Sequence, residues 1–159
     1  MVARPLKVIP EKAKLLLEEL RGRSCTLQRI GSDKSLFIGI GEIDTSGTKP
    51  HAEIEFGTYD CAWRVAREGK VICGSDDAVD EVLELENCFS AVVLGDFMAL
   101  QQLSEFDVRL AFSTGVVVDI MCTISDDDEV IHVFFPRKEV LTFQPETGWR
   151  FGRSDEPWG

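Results

Sequence analysis

Positive charge is in short supply. The chain of 159 residues carries 17 Lys and Arg against 28 Asp and Glu, a formal net charge of −11. Gripping a phosphate backbone needs a basic surface, so nucleic-acid binding is excluded as a leading class. Docking on an anionic membrane falls by the same argument. Long apolar runs are lacking too: none approaches the ~18 residues of a membrane-spanning helix. Residues 1–7 contain Arg4 and Lys7, but Pro10, Glu11 and Lys12 interrupt any apolar stretch behind them. That is not a secretory pattern, and a cytoplasmic location is expected.

Recognisable sites for chemistry are equally scarce. The five cysteines, Cys25, Cys61, Cys73, Cys88 and Cys122, are odd in number and widely spaced, with no CxxC pair. No zinc knuckle or thioredoxin-type dithiol is expected, and no metal or cofactor. In apolar, strand-like surroundings the cysteines read as small buried hydrophobes kept reduced. GxSxG, GxxxxGKS/T, GxGxxG and HExxH are absent, which removes the common nucleophile, phosphate-loop and zinc-helix signatures. Gly39-Ile40-Gly41 reads as a bend within a strand. His51 follows Pro50 and should be exposed. His132 lies in an apolar strand and should bond a backbone or loop group. Neither is spaced to share a metal, and the chain is not expected to be an enzyme.

What is present is ordinary globular material, 44% hydrophobic and 28% charged. The length predicts about one domain, 1–159, with 152–159 as a flexible tail. Pro10 and Gly22 bracket a helix over 11–20, in which Ala13, Leu16, Leu17 and Leu20 form one apolar stripe. After Gly22 the period changes to two. Ala52, Ile54 and Phe56 alternate with Glu53 and Glu55, and Phe106, Val108, Leu110 and Phe112 alternate with Asp107, Arg109 and Ala111. Such strands have one wet face and belong to antiparallel sheet. Further strands are expected at 26–30, 35–40, 61–66, 70–73, 89–94, 116–124, 130–135 and 140–143. Turns at 67–69 and 113–115 should close hairpins. Ser75, followed by Asp76 and Asp77, reads as the start of a short helix over 76–84, with Val79, Val82 and Leu83 as its stripe. The fold class is α+β: a largely antiparallel, curved sheet with an N-terminal helix and one short helix. Two related β-rich halves are suggested, one opening at Cys25 and one at Cys88, with Phe56 and Phe112 in matching places.

The stretches CAWRVAREGKVICGSDD (61–77), DVRLAFSTGVVVDIM (107–121), IHVFFP (131–136) and GWRF (148–151) resemble a group of small acidic bacterial proteins of unknown function. Those proteins are similar to the immunity members of toxin–immunity pairs. The resemblance covers roughly 50–151. It implies a protein partner, a basic toxin domain neutralised by occlusion, and carries over no catalytic residue. The extra N-terminal helix and the acidic turn at 126–129 depart from the pattern.

The acids themselves support a partner surface. Asp76, Asp77, Asp80 and Glu81 form one cluster, and Asp126, Asp127, Asp128 and Glu129 another. The second lacks the alternating spacing of a calcium loop. Acidic patches steer basic ligands and speed their association, and a helix over 76–84 would hold the first cluster in fixed geometry. An aromatic or aliphatic anchor would then secure the complex; Trp158 beside Pro157 is one candidate, while Trp63 reads as core and Trp149 as a sheet-edge closure. The competing class is a structural or regulatory homodimer whose acidity serves solubility.

Overall fold

In the computed structural model, which describes residues 7–59 and 61–155, Pro10 precedes a helix and Gly22 follows it. α1 spans Glu11–Glu19, one position after Pro10, with Ala13 and Leu17 buried. Gly22 turns the chain at φ 86, a conformation that a side chain would penalise. The period of two then yields β1 (Cys25–Ile30), β2 (Leu36–Asp44), β3 (His51–Thr58), β4 (Ala62–Arg67) and β5 (Lys70–Gly74). α2 (Val82–Ser90) follows, and then β6 (Phe97–Gln102), β7 (Asp107–Phe112), β8 (Val116–Met121), β9 (Ile131–Phe134), β10 (Glu139–Gln144) and β11 (Gly148–Arg153). Both expected hairpin turns are present. Glu68 and Gly69 take φ 52 and 74 between β4 and β5, and Gly115 takes φ 86 between β7 and β8.

The strands divide between two sheets, ordered β1-β2-β3-β9-β10-β11 and β5-β4-β8-β7-β6. Every neighbouring pair is antiparallel, so the fold is α+β with antiparallel sheets. The order divides into two halves with a similar run of elements. The first supplies α1, the meander β1-β2-β3 and, in the other sheet, the hairpin β4-β5. The second supplies α2, the meander β6-β7-β8 and, in the first sheet, β9-β10-β11. The halves interlock because β3 pairs with β9 and β4 with β8. Their register differs from the expected one. Phe56 lies on the third strand of its half and Phe112 on the second, while Cys25 opens a strand and Cys88 lies in α2.

Alternation builds the core. Ile38, Ile40, Ile54 and Phe56 from one sheet and Trp63, Val65, Leu110 and Val118 from the other belong to one contiguous buried cluster. The rings of Phe56 and Phe97 meet at 5.3 Å between the sheets. Trp149 is buried on the edge strand β11, 5.0 Å from Phe143.

The second helix departs from expectation. It begins at Val82, not 76, because its buried stripe is Leu85 and Phe89, while Leu83 is exposed. Ser75 does not cap it: the Ser75 hydroxyl accepts from the Trp63 N–H at 3.0 Å and extends the β4–β5 pairing. The strand expected at 89–94 is therefore the end of this helix and the turn after it. The last three residues of the expected 116–124 strand fall beyond β8. α2 packs on β1 and against β5, and α1 packs against β6. Gln28 of β1 ties the first of these contacts by donating to the Phe89 and Val92 carbonyls at 2.8 and 2.9 Å. Glu86 accepts from the Ile30 N–H at 3.0 Å. Gln28→Ala removes both carbonyl bonds and should cost about 1–2 kcal/mol, read as a lowered denaturant midpoint.

No helix of the described residues is long and apolar enough to cross a membrane. The five cysteines are thiols, not disulfides. Only Cys73 is fully buried, and Cys88 is exposed. Burial pushes the Cys25 thiol up to about 11. Burial, and then the neighbouring Cys88, push Cys73 up to about 12. Titration in denaturant without reductant should count five thiols; a smaller count, with the mass loss of a disulfide, would contradict this assignment.

Candidate partner-binding face

The first acidic cluster lies outside the helix. Asp76 and Asp77 follow β5 in a turn, and Glu81 immediately precedes α2 in extended conformation, without capping it. The Asp77 carboxylate is occupied, accepting from the Gly74 N–H at 3.0 Å. Asp76, Asp80 and Glu81 are exposed. Fixed helical geometry is therefore not what holds these charges.

The second cluster is split in the same way. Asp127 accepts from the Glu146 and Thr147 N–H groups at 3.0 Å each and from the Thr147 hydroxyl. It clasps this segment to the β10–β11 turn, and those bonds, the Thr147 hydroxyl first, hold its carboxyl below the ordinary range. Asp126 and Asp128 are exposed, while Glu129 is half-buried. Asp76 of the first cluster and Glu129 of the second both come near the Thr58–Tyr59 segment. Asp76 lines an open cleft with Asp33, Ser35, Thr58, Cys61 and Thr123. Asp33 and Glu129 both bear electrostatically on Tyr59.

At Tyr59 begins an aromatic patch that sequence reasoning missed. His132 projects from the β9 face opposite Ile131 and Val133, in a cross-strand row with Gly57 and Phe37. The Gly57 position carries no Cβ, and the imidazole fills that space: a Cβ there would stand 2.1 Å from His132 Nε2. Around the imidazole stand Phe134 at 4.7 Å, Tyr59 at 4.9 Å and Phe37 at 6.4 Å between ring centres. Tyr59 is fixed by its N–H donating to the Val130 carbonyl at 2.8 Å. His132 is 2% exposed, yet Tyr59 and Phe134 remain 42% and 40% exposed. The patch thus has a buried hub and two open rings.

The hub's electrostatics are unusual. Contrary to expectation, His132 Nδ1 is buried with no hydrogen-bond partner. Glu129 Oε1 stands 3.6 Å away, beyond hydrogen-bond distance. Burial pushes the imidazole down to about 4, so it is neutral near pH 7. Burial also raises the Glu129 carboxyl. Burial, then Glu129 and Asp33, raise the Tyr59 phenol. His51 is exposed as expected, 3.5 Å from Glu55, which Arg29 also approaches at 4.0 Å.

A second polar cluster sits on the outer face of the other sheet. Arg64, Asp119 and Arg109 are direct cross-strand neighbours on β4, β8 and β7. Asp119 is 1% exposed, with Arg109 Nε at 2.6 Å and Arg64 Nε at 3.0 Å. Burial works to raise its carboxyl, but the two guanidiniums outweigh it and hold the carboxyl below its ordinary value. The cluster is internally satisfied and serves the sheet.

Comparison with family models, curated proteins and solved structures found no match. The site is therefore read from its own chemistry. Among the described residues no group of three or more His, Cys, Asp or Glu has the geometry to hold a metal ion. Trp158 lies outside the described residues. Open aromatic rings and exposed carboxylates together make a surface suited to recognition.

Proposed function

We propose that this protein is a non-enzymatic acidic binding protein that neutralises a basic protein domain by occluding it, as an immunity protein does its toxin. The observation that carries the reading is a set of open carboxylates on a chain that also leaves aromatic rings open. Asp76, Asp80 and Glu81 between β5 and α2, and Asp126 and Asp128 between β8 and β9, are exposed, and the rings of Tyr59 and Phe134 are open. The two parts have separate jobs. Solvated carboxylates raise the encounter rate with a basic surface and fade with salt. Rings packed on a rigid buried hub give the anchor, since aromatic residues in the middle of a patch carry most interface energy. Toxins that act on nucleic acid are basic because their substrates are phosphates, and a chain at −11 complements them. The resemblance of 61–77, 107–121, 131–136 and 148–151 to immunity-like proteins agrees with this reading. Its test is co-expression with the product of the adjacent gene. A stable complex that loses most of its affinity in Phe134→Ala is expected; no complex with that product would count against it.

A further inference from the structure

We propose that Cys88 and Cys73 form a thiol pair that a low-molecular-weight disulfide oxidises to an internal disulfide, closing residues 74–87, with Asp76, Asp80 and Glu81, into a ring. The proposal goes beyond the binding reading and stands without it. Three observations carry it. First, the two thiols meet. The buried stripe of α2 is Leu85 and Phe89, and Cys88 shares the Leu85 side of the helix, as residues three apart do. α2 packs against β5. There Cys88 Sγ lies 3.9 Å from the carbonyl oxygen of Ile72, the residue bonded to Cys73. The two thiols are within hydrogen-bonding reach of each other. Second, the pair is unequal. Cys88 is exposed, while Cys73 is 1% exposed. An accessible thiol beside a second, resolving one is the arrangement that reversible oxidation uses. Third, the pair spans a mobile kind of element, since the first acidic loop runs from β5 to α2 between the two cysteines. A bond there staples both ends of that loop.

The chemistry is two exchanges. The Cys88 thiolate attacks one sulfur of the small disulfide. A bond forms to Cys88, the small disulfide's S–S bond breaks, and one small thiolate leaves and takes the proton that Cys88 gave up. The Cys73 thiolate then attacks Cys88 Sγ, and the second small thiolate leaves with the Cys73 proton. Two protein thiols lose two electrons, and the small disulfide gains them as two thiols. Burial, and then Cys88, hold the proton on Cys73, so the second exchange is the slower one and the mixed disulfide on Cys88 comes first.

The experiment treats the folded, fully reduced protein with glutathione disulfide, blocks the remaining thiols, and follows intact mass and linked peptides. A glutathione adduct on Cys88 should appear first. It should give way to a species lighter than the reduced protein by two hydrogens, with the Cys73 and Cys88 peptides joined. Cys73→Ala should stop at the adduct. Cys88→Ser should slow oxidation of Cys73 at least tenfold, and Cys122→Ser should change neither step. A ring of about this length makes the unfolding equilibrium constant roughly a hundredfold smaller, read as a raised denaturant midpoint that dithiothreitol returns to its starting value. Four results each overturn the proposal: an adduct on wild-type Cys88 that persists with no joined peptides, a bond between any other pair, a Cys73–Cys88 bond that forms only in denaturant, or one that leaves the midpoint unchanged. Mapping the wild-type chain decides the first three without any variant, and no partner protein enters.

Discussion

Gly57→Ala should destabilise the protein by about 2–3 kcal/mol, the range for overpacking a well-filled site. The backbone at residue 57 does not take the left-handed conformation that favours glycine, so the expected loss is steric. The added Cβ would lie 2.1 Å from His132 Nε2 and 2.4 Å from Cε1, far inside contact distance. The imidazole has little room to retreat, because Phe134 and Tyr59 hold it at 4.7 and 4.9 Å. Equilibrium denaturation measures the loss, and a double-mutant cycle assigns it. Combined with His132→Ala, the alanine at 57 should cost far less than it does alone, a coupling of about 1 kcal/mol or more. Equal costs in both backgrounds would mean that the imidazole does not lie over Gly57, and the patch as described would not exist.

Stability should fall on mild acidification, with His132 the largest single cause between about pH 6.5 and 4. Its folded pKa is depressed by burial, from 6.5 to about 4. A depressed group contributes stability that is present above its unfolded pKa and lost as pH falls toward the folded one. Here the loss begins near pH 6.5 and is complete near 4, amounting to roughly 3 kcal/mol. The titratable groups facing the imidazole are Glu129 and Tyr59. Burial raises the Glu129 carboxyl, so its protonation favours the folded state and offsets part of the loss. The Tyr59 phenol stays protonated throughout this window. His132→Phe keeps a ring over Gly57 and removes the titration, so its stability should be nearly flat over the same range. Parallel pH profiles for wild type and His132→Phe would refute the assignment.

Local pattern carried much of this fold. The stripe Ala13, Leu17 and Leu20 placed α1, and alternation placed β3 and β7. Gly69 and Gly115 marked turns because both need positive φ. β6 was not legible because only Phe97 among its six residues is fully buried, so no alternation survives. β11 was hidden by the glycines at the first and fifth positions of GWRFGR. The helix boundary near 76–84 failed for a different reason. Ser75 and two aspartates make a good cap on paper, but the hydroxyl was already committed to Trp63, and Leu85 with Phe89 outweighed Val79 and Leu83.

The site was less legible than the fold. Acidic clusters are visible in a chain, but whether a carboxylate is free is decided by its neighbours. Asp77 and Asp127 turned out to be bound to backbone N–H groups. The aromatic patch depends on β3 pairing with β9 and on Tyr59 bonding Val130, contacts between segments far apart in sequence. One chain does not announce which of its strands pair. The signal that was there, a glycine in mid-strand where a close approach is needed, gains meaning only once His132 is known to be the group approaching. Asp119 was similarly concealed: its partners Arg64 and Arg109 sit on separate strands and meet only across the sheet.

The central claim is that the acidic loops capture a basic partner, and stopped-flow association with the product of the adjacent gene tests it most directly. The variants reverse the unoccupied carboxylates to lysine, Asp76, Asp80 and Glu81 in one protein and Asp126 and Asp128 in another, leaving the bonded Asp77 and Asp127 intact. At low salt at least one variant should associate about tenfold more slowly than wild type. Dissociation should change less, and added salt should close the gap. Equal association rates for wild type and both variants at low salt would contradict the claim and reduce the acidic loops to a solubility device.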